Sequence, residues 1–204
     1  MKKLPVEVFS TWATNGRDEG MEKNHSLAVG EMLTFATAQL ENYRCIDAGC
    51  GNGWVVRQLD QQESCQQAIG VDGSETMIQK AQRLHPTGTY YCSDLMEWQP
   101  QSPVDLVHSM EVFYYMPDPQ ALISHIYHHW LNEGGRLIIG LDFYQENPTS
   151  HSWPEDCGIS IMQLFSEEQW KSFFQTAGFH KLQTWRVGAA GDWAGTLVVT
   201  GVKS

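Results

Sequence analysis

The sequence predicts an α/β fold in which helices cover both faces of one mostly parallel β-sheet. From residue 43 onward, short apolar runs alternate with segments of helical periodicity. The first two apolar runs end in acids, Asp47 and Asp72, and a glycine-rich loop follows the first. Alternating strands and helices form a parallel sheet that is covered on both faces. A chain of 204 residues is long enough for one domain with a sizeable core.

The charge of the chain argues against two classes of partner. The net charge is −11, and the 13 lysines and arginines form no run. Nucleic acids and anionic membranes bind basic surfaces, which release their counterions. We therefore expect neither nucleic acid nor membrane as a partner.

The cysteines and the N-terminus indicate a reduced, cytoplasmic protein. The five cysteines are odd in number and contain no Cys-x-x-Cys pair, which favours neither a disulfide framework nor a zinc knuckle. The basic start has no apolar run behind it, unlike a signal peptide. No segment has the length of a membrane span.

The region before the first strand divides into two parts. Residues 1–20 show no clear periodicity, whereas apolar residues recur at three- and four-residue steps from Met21 to Leu40. This second pattern predicts one long amphipathic helix.

The glycine-rich loop, DAGCGNG at residues 47–53, lies between the first strand and a helix that starts at Trp54. Its glycines permit positive φ and let a ligand approach the main chain. Trp54 occupies the place of the third glycine of a dinucleotide fingerprint, which argues against NAD and FAD. The carboxylate of Asp47 would repel a pyrophosphate and attract an ammonium or sulfonium group.

The next two strands each end in an acid. Asp72 follows the glycine loop by about 20 residues, where a nucleoside-binding sheet places the carboxylate that binds ribose hydroxyls. A simple helix-capping role for Asp72 is the alternative, and Ser74 is a plausible N-cap of the following helix. The third strand, residues 89–95, contains Asp94.

The second half of the chain continues the alternation. A fourth strand starts at Val104, Asp118-Pro119 starts a helix that should stop at Gly134-Gly135, and residues 136–141 form a fifth strand. Ser166 and Gln169 predict a capping box. Residues 179–187 and 196–202 predict a closing strand pair, and 142–165 an irregular loop.

The glycine loop resembles the first motif of the class I S-adenosylmethionine-dependent methyltransferases. That resemblance extends from Arg44 over nearly the whole remaining chain. It implies a Rossmann-like three-layer α/β/α sandwich with seven strands, the last antiparallel, and an N-terminal helical lid. The single domain, residues 1–204, then comprises a lid (1–42), a cofactor-binding core (43–141), a substrate-covering loop (142–165) and a C-terminal helix with a strand pair (166–204).

The resemblance also implies the cofactor and its contacts. S-adenosylmethionine would bind with its methionine end at the glycine loop, its ribose at Asp72 and its adenine at Asp94 and Leu95, and would leave as S-adenosylhomocysteine. The expected cofactor-binding residues are Asp47, Ala48, Gly49, Cys50, Gly51, Gly53, Trp54, Asp72, Gly73, Ser74, Met77, Asp94, Leu95, Ser109 and Met110.

Residues near the transferred methyl group are candidates for catalysis. Transfer from a sulfonium requires alignment and removal of any proton on the nucleophile, so a general base is optional. By motif position the candidates are Glu111, Tyr114, Tyr115 and His151. Glu111 has the alternative of a surface carboxylate, and the tyrosines that of shaping the pocket. The expected substrate-binding residues are Trp12, Arg17, Met21, His25, Tyr144 and Trp153.

Histidines elsewhere favour no metal site. His125 and His129 stand one helical turn apart, but the sequence offers no third ligand nearby. His108 lies in an apolar strand and is expected to be a satisfied core residue. We therefore expect no metal.

The favoured function is methylation of a small molecule by a monomer or homodimer. The loop after the fourth strand lacks the Asp or Asn followed by Pro-Pro that amino-directed DNA, RNA and protein-glutamine enzymes of this family carry. A regulatory or sensor protein that binds the cofactor without catalysis is the alternative. An aminopropyl transferase is disfavoured, since that loop has no paired acids.

Overall fold

The computed structural model describes residues 2–204, and its centre is one seven-stranded sheet. The strands lie in the order β3-β2-β1-β4-β5-β7-β6. Strands β1 to β5 pair in parallel, whereas β7 runs antiparallel to both of its neighbours. The strands are β1 (Tyr43–Ala48), β2 (Cys65–Asp72), β3 (Thr89–Cys92), β4 (Val104–Met110), β5 (Leu131–Leu141), β6 (His180–Val187) and β7 (Thr196–Val202).

Seven α-helices and two short 3-10 turns surround the sheet. The helices are α1 (Pro5–Asn15), α2 (Glu19–Thr37), α3 (Trp54–Leu59), α4 (Glu75–Leu84), α5 (Pro119–His129), α6 (Trp153–Asp156) and α7 (Glu167–Ala177). The 3-10 turns span Phe113–Tyr115 and Pro148–Ser150. None of the helices in residues 2–204 combines the length and apolar character needed to cross a membrane.

The predicted three-layer fold with an antiparallel last strand is confirmed. Buried apolar side chains form one cluster on each face of the sheet. The first cluster includes Trp130 and Trp170 and lies on the face that α5 and α7 cover. The second includes Met32 and Val56 and lies on the face that α2 and α3 cover. Both faces are therefore covered, as the strand and helix alternation predicts.

Capping chemistry accounts for the helix starts that the sequence predicts. The Ser74 hydroxyl accepts the Met77 N–H, and Asp118 accepts the Ala121 N–H at 2.9 Å. Ser166 and Gln169 form the predicted capping box at the start of α7. These local hydrogen bonds fix where α4, α5 and α7 begin.

Three boundaries differ from the sequence prediction. Residues 5–15 form a helix although they lack clear periodicity, because Pro5 occupies the first turn and the Glu7 carboxylate accepts the Leu4 N–H at 2.8 Å. The fifth strand begins at Leu131 rather than 136, so α5 ends before Gly134-Gly135. The third strand stops at Cys92, before Asp94.

Candidate active site

A cavity of about 400 Å³ lies at the carboxyl ends of β1, β2 and β4. The first turns of α1 and α2 form its outer wall, so residues far apart in sequence meet around one space. Open α/β sheets bind ligands at this edge. The predicted site residues that line the cavity are Met21, His25, Asp47, Gly49, Cys50, Gly51, Trp54, Gly73, Met77, Asp72, Asp94, Leu95, Met110, Glu111 and Tyr115.

The glycine loop turns sharply over the end of β1. The N–H groups of Gly49 and Cys50 both donate to the Val71 carbonyl, at 2.7 and 3.1 Å. Gly51 has φ +51°, and a Cβ built on it would have no neighbour nearer than the Met77 sulfur at 4.0 Å. The space above Gly51 is therefore free for a ligand that approaches the main chain.

Asp72 is held by the loop and faces the cavity. Its Oδ2 accepts the Gly51 N–H at 2.9 Å, and its Oδ1 accepts the Ser74 N–H at 2.8 Å. Burial raises the pKa of this carboxyl above its usual range. Asp72 can therefore accept the Ser74 N–H at the start of α4 and still face the cavity, because a carboxylate oxygen can accept more than one hydrogen bond.

Asp47 and the adenine candidates flank this centre. Asp47 is buried at the end of β1, and its Oδ1 lies 2.7 Å from His108 Nδ1. Asp94 is exposed and accepts the Met96 N–H at 2.8 Å, while Leu95 is buried beside it. The polar and apolar pair that the sequence predicts at the third strand therefore reaches the cavity from one short loop.

Three ionisable side chains meet beside the cavity, and two of them, His25 and Glu111, line it with Met110. His25 of α2, Glu111 after β4 and Asp142 after β5 are all buried, and their ligand-type atoms lie within 4.8 Å of one another. His25 Nε2 lies 3.3 Å from Asp142 Oδ2. Glu111 has φ +63°, a left-handed conformation that non-glycine residues rarely adopt. We refer to His25, Glu111 and Asp142 as the acid–histidine cluster.

The surroundings raise the pKa values of Glu111 and His25. Burial raises the pKa of Glu111 to about 8, with a further contribution from the charge of Asp142. Burial lowers the pKa of His25, but the hydrogen bond to Asp142 and the charges of Glu111 and Asp142 outweigh it and bring the value to about 9. The cluster therefore retains protons at neutral pH.

Besides His151, five predicted cofactor or catalytic residues do not line the cavity. Ala48 and Gly53 belong to the loop but lie beneath it, and a Cβ on Gly53 would lie 2.6 Å from the Tyr90 ring. The Ser109 hydroxyl donates to the Ala48 carbonyl at 2.7 Å. The remaining two have structural partners. Ser74 caps α4 and its hydroxyl contacts that of Ser10. The Tyr114 hydroxyl donates to the Glu111 carboxylate.

The predicted substrate residues Tyr144 and Trp153 and the predicted catalytic residue His151 also lie outside the cavity. The Tyr144 hydroxyl donates to the Gly195 carbonyl within the core, and exposed His151 contacts the Tyr144 carbonyl. Trp153 stacks on Trp193 at 6.2 Å. These three residues therefore do not line the cavity, whereas Ile161 of the same segment does.

Two lid residues are also displaced from the cavity. The Arg17 guanidinium lies 4.2 Å from the centre of the Trp12 ring, and the pair packs together on the outside of α1. Met21 and His25 line the cavity as predicted. Of the four predicted lid residues, Trp12 and Arg17 thus lie outside the cavity, whereas Met21 and His25 line it.

Sequence reasoning missed several cavity residues. Val6 and Phe9 line the cavity because residues 5–15 form α1, and their spacing in the sequence does not predict that helix. Asp18 is 1% exposed and binds the Asn52 side chain of the glycine loop at 2.8 Å. The other unpredicted lining residues are Leu4, Pro5, Val55, Ser93, Val112, Met116, Pro117 and Ile161.

Comparison with known proteins identifies the family of the chain. The sequence profile described as "Methyltransferase domain" matches residues 21–184. The chain belongs to this family. The resemblance noted at the glycine loop is therefore confirmed.

Relatives and solved structures extend the comparison. The chain is 30% identical over 113 residues to a trans-aconitate 2-methyltransferase of Azoarcus sp. (strain BH72), covering 55% of the chain and 44% of that relative. A second such enzyme, from Agrobacterium fabrum, is 26% identical, with 66% and 49% covered. The chain therefore spans about half the length of the curated relatives it matches.

One solved structure matches nearly the whole chain. It is a complex between the Haloferax volcanii Trm112 methyltransferase activator and its partner protein, with a TM-score of 0.81, 28% identity and 95% of this chain and 96% of that chain covered. A methyltransferase of Thermotoga maritima has a TM-score of 0.73 at 19% identity, with 97% and 99% covered, which supports the fold.

Proposed function

We propose that the protein is an S-adenosylmethionine-dependent methyltransferase that transfers a methyl group to a small-molecule acceptor by in-line displacement. The observation that carries this proposal is the cavity itself. The open face of the glycine loop, the Asp72 carboxylate and the buried carboxyl of Glu111 all line this one space. S-adenosylhomocysteine is the expected product.

The cofactor would lie along the glycine loop. Asp72 has lone pairs left to accept the ribose hydroxyls, and Asp94 with Leu95 would hold the adenine. Asp47 would attract the positively charged methionine end, and Gly51 lets that end approach the main chain. Met110 and Glu111 line the same cavity and would lie close to the methyl group that the cofactor supplies.

The charges of the cavity limit the class of acceptor. Among the described residues, its lining contains five acids and one histidine, but no lysine or arginine. A tricarboxylate such as the one in the names of the Azoarcus and Agrobacterium relatives needs cationic partners, which this lining lacks. We therefore propose a neutral or cationic acceptor with an apolar part, which would pack against Phe9 and Tyr115.

The acceptor end is shaped by residues of this chain. Glu111 and His25 present polar groups, while Tyr115 and Phe9 pack edge to face at 5.1 Å and exclude water. Alignment and exclusion of water are the main requirements for displacement at a sulfonium methyl group. Glu111 is the residue that we propose to contact the acceptor.

Calorimetric titration with S-adenosylmethionine, S-adenosylhomocysteine and NAD tests the cofactor. We expect binding of the first two and none of NAD. Acceptor screening then follows S-adenosylhomocysteine formation, with Glu111→Gln expected to lose turnover but keep cofactor affinity. Absence of binding to either sulfur compound would refute the proposal, and binding without turnover over neutral, cationic and anionic acceptors would favour a non-catalytic sensor.

We also propose that the chain works in a complex with a small Trm112-type activator. The support is the match to the partner of Trm112 in the Haloferax complex, which extends over nearly the whole of both chains. Co-expression with the Trm112-type protein of the same organism, followed by size-exclusion chromatography with light scattering, should give a heterodimer. A monomer or homodimer that excludes the activator would refute this.

A further inference from the structure

The acid–histidine cluster has the composition and the burial of a metal site. His25, Glu111 and Asp142 are 9%, 6% and 5% exposed. Each contributes one atom to a group in which all three atoms lie within 4.8 Å of one another. Ligands of one cation at about 2.1 Å lie about 3–4 Å apart, so the observed 3.3 Å between His25 Nε2 and Asp142 Oδ2 suits two neighbouring ligands.

The histidine is oriented as a metal ligand would be. His25 Nδ1 lies 2.8 Å from the Met21 carbonyl, which can only accept a hydrogen bond. The Nδ1 atom therefore carries a proton, and Nε2, which faces the carboxylates, is the nitrogen that a cation would bind after displacing its proton. A ring N–H donated to a backbone carbonyl is the usual outer contact of a metal-bound histidine.

The two carboxylates are also fixed from outside the cluster. The Thr196 hydroxyl donates to Asp142 Oδ1 at 2.6 Å and leaves Oδ2 facing His25. The Asp142 N–H and the Tyr114 hydroxyl hold the two oxygens of Glu111. Such outer hydrogen bonds orient ligating carboxylates and restrict their movement.

We propose that His25, Glu111 and Asp142 form a binding site for one divalent transition-metal cation of the Mn²⁺, Fe²⁺ or Zn²⁺ class. One imidazole nitrogen with two carboxylates favours these ions over Mg²⁺ and Ca²⁺, which prefer oxygen ligands alone. The site differs from the His125 and His129 pair, which no third ligand joins in residues 2–204. Asp142, which sequence reasoning did not single out, completes it.

The location gives the cation a role at the acceptor end. His25 and Glu111 line the cavity, so coordination positions on that side are open to a small molecule. An acceptor with an oxygen or nitrogen atom can bind there and be held against the transferable methyl group. This role alone rests on the proposed methyl transfer, whereas binding of the cation does not.

Metal titration of the full chain tests the site without cofactor or acceptor. After chelator treatment and dialysis, Mn²⁺ binding is measured by the loss of the free-ion electron paramagnetic resonance signal. We expect one Mn²⁺ per chain, displaced by Zn²⁺. The His25→Gln and Asp142→Asn variants should each bind Mn²⁺ at least about tenfold more weakly, and Thr196→Val about tenfold more weakly.

The matched control is His125→Gln. It removes a partly buried histidine of α5 that contacts the Trp98 carbonyl. It should bind Mn²⁺ as the unmodified protein does. Circular dichroism shows whether Asp142→Asn folds. If it does not, Mn²⁺ binding by His25→Gln, whose side chain lines the cavity, decides the test. The proposal is overturned if the unmodified protein binds neither Mn²⁺ nor Zn²⁺ at one equivalent, or if His25→Gln binds Mn²⁺ unchanged.

A separate titration distinguishes this proposal from the proposed methyl transfer. S-adenosylmethionine binding by metal-free protein reports on the glycine loop and Asp72 alone. Cofactor binding without metal binding would reject only the metal site. Metal binding without cofactor binding would reject only the proposed cofactor.

Discussion

His108 Nδ1 lies 2.7 Å from Asp47 Oδ1, and the two residues are register partners on the adjacent strands β4 and β1. Both side chains are buried beneath the glycine loop. The other ring nitrogen, Nε2, has no hydrogen-bond partner among residues 2–204. His108 is thus the core residue that the sequence predicts, but only one of its nitrogens is satisfied, and that one orients the acid that faces the cofactor site.

The first prediction concerns this pair. His108→Leu leaves a buried carboxylate without its imidazole partner, and we expect unfolding free energy to fall by about 1–3 kcal/mol. Cofactor affinity should fall as well, because Asp47 loses its orientation. Urea unfolding and calorimetry measure the two effects.

Thr200→Val is the matched control for His108→Leu. Thr200 lies on β7 and does not line the cavity. The variant removes its buried hydroxyl, which donates to the Leu137 carbonyl at 2.8 Å. It should lose stability but keep cofactor affinity. Equal cofactor affinity in both variants would show that His108 serves packing alone.

The second prediction concerns Asp72. Asp72→Ala removes the carboxylate proposed to bind the ribose, and we expect S-adenosylmethionine affinity to fall about 10–100-fold, since hydrogen bonds to charged groups contribute about 1.5–3 kcal/mol. Asp118→Ala is the control, because Asp118 also precedes a helix and caps it, on α5. It should lose about 1 kcal/mol of stability without loss of affinity. Unchanged affinity in Asp72→Ala would reject the ribose contact.

The third prediction separates two glycines of the loop. Both have positive φ, +51° at Gly51 and +75° at Gly53, so alanine at either costs about 1–2 kcal/mol of strain. At Gly53 a Cβ also meets the Tyr90 ring, whereas at Gly51 it meets open space. Gly53→Ala should therefore mainly lower the melting temperature.

Gly51→Ala should instead mainly lower cofactor affinity, because its Cβ would enter the space proposed for the ligand. Thermal unfolding with and without S-adenosylmethionine compares the two variants. If Gly51→Ala binds the cofactor as tightly as the unmodified protein, the ligand does not approach the main chain at this loop.

The sequence predicts much of the cavity lining around the glycine loop, because the signals for these residues are mainly local. Positive φ at Gly51 and the cap at Ser74 depend on residues within one turn. Asp47 and Asp72 end parallel strands, and parallel strands bring their carboxyl ends to one edge of the sheet. Topology alone therefore places these groups together.

The acceptor side depends on contacts that periodicity does not encode. Asp142 meets His25 across more than 100 residues of chain and Glu111 across 31, and its position follows from the register of β4 against β5. The start of α1 rests on one carboxylate, Glu7, that binds the Leu4 N–H. The irregular sequence of 142–165 predicts that Tyr144 and Trp153 contact the substrate, but the Tyr144 ring is buried in the core and the Trp153 ring stacks on Trp193.

The last prediction concerns the contact between the lid and the loop. The Asp18 carboxylate is buried and binds Lys80 of α4 and Asn52 of the glycine loop, both at 2.8 Å. Lys80→Met removes the positive charge that compensates Asp18, and we expect unfolding free energy to fall by about 1–3 kcal/mol. Limited proteolysis should cleave residues 1–37 faster, and cofactor affinity should fall because Asn52 lines the cavity.

Lys171→Met is the control for Lys80→Met, since Lys171 pairs with Glu168 on the exposed face of α7. Exposed pairs contribute about 0–1 kcal/mol, so this variant should keep its stability, its proteolysis pattern and its cofactor affinity. The difference between the two variants reports what burial adds to the Asp18 and Lys80 pair. Identical proteolysis of residues 1–37 in both would mean that apolar contacts of Val6 and Phe9, and not this ion pair, hold the lid on the cavity.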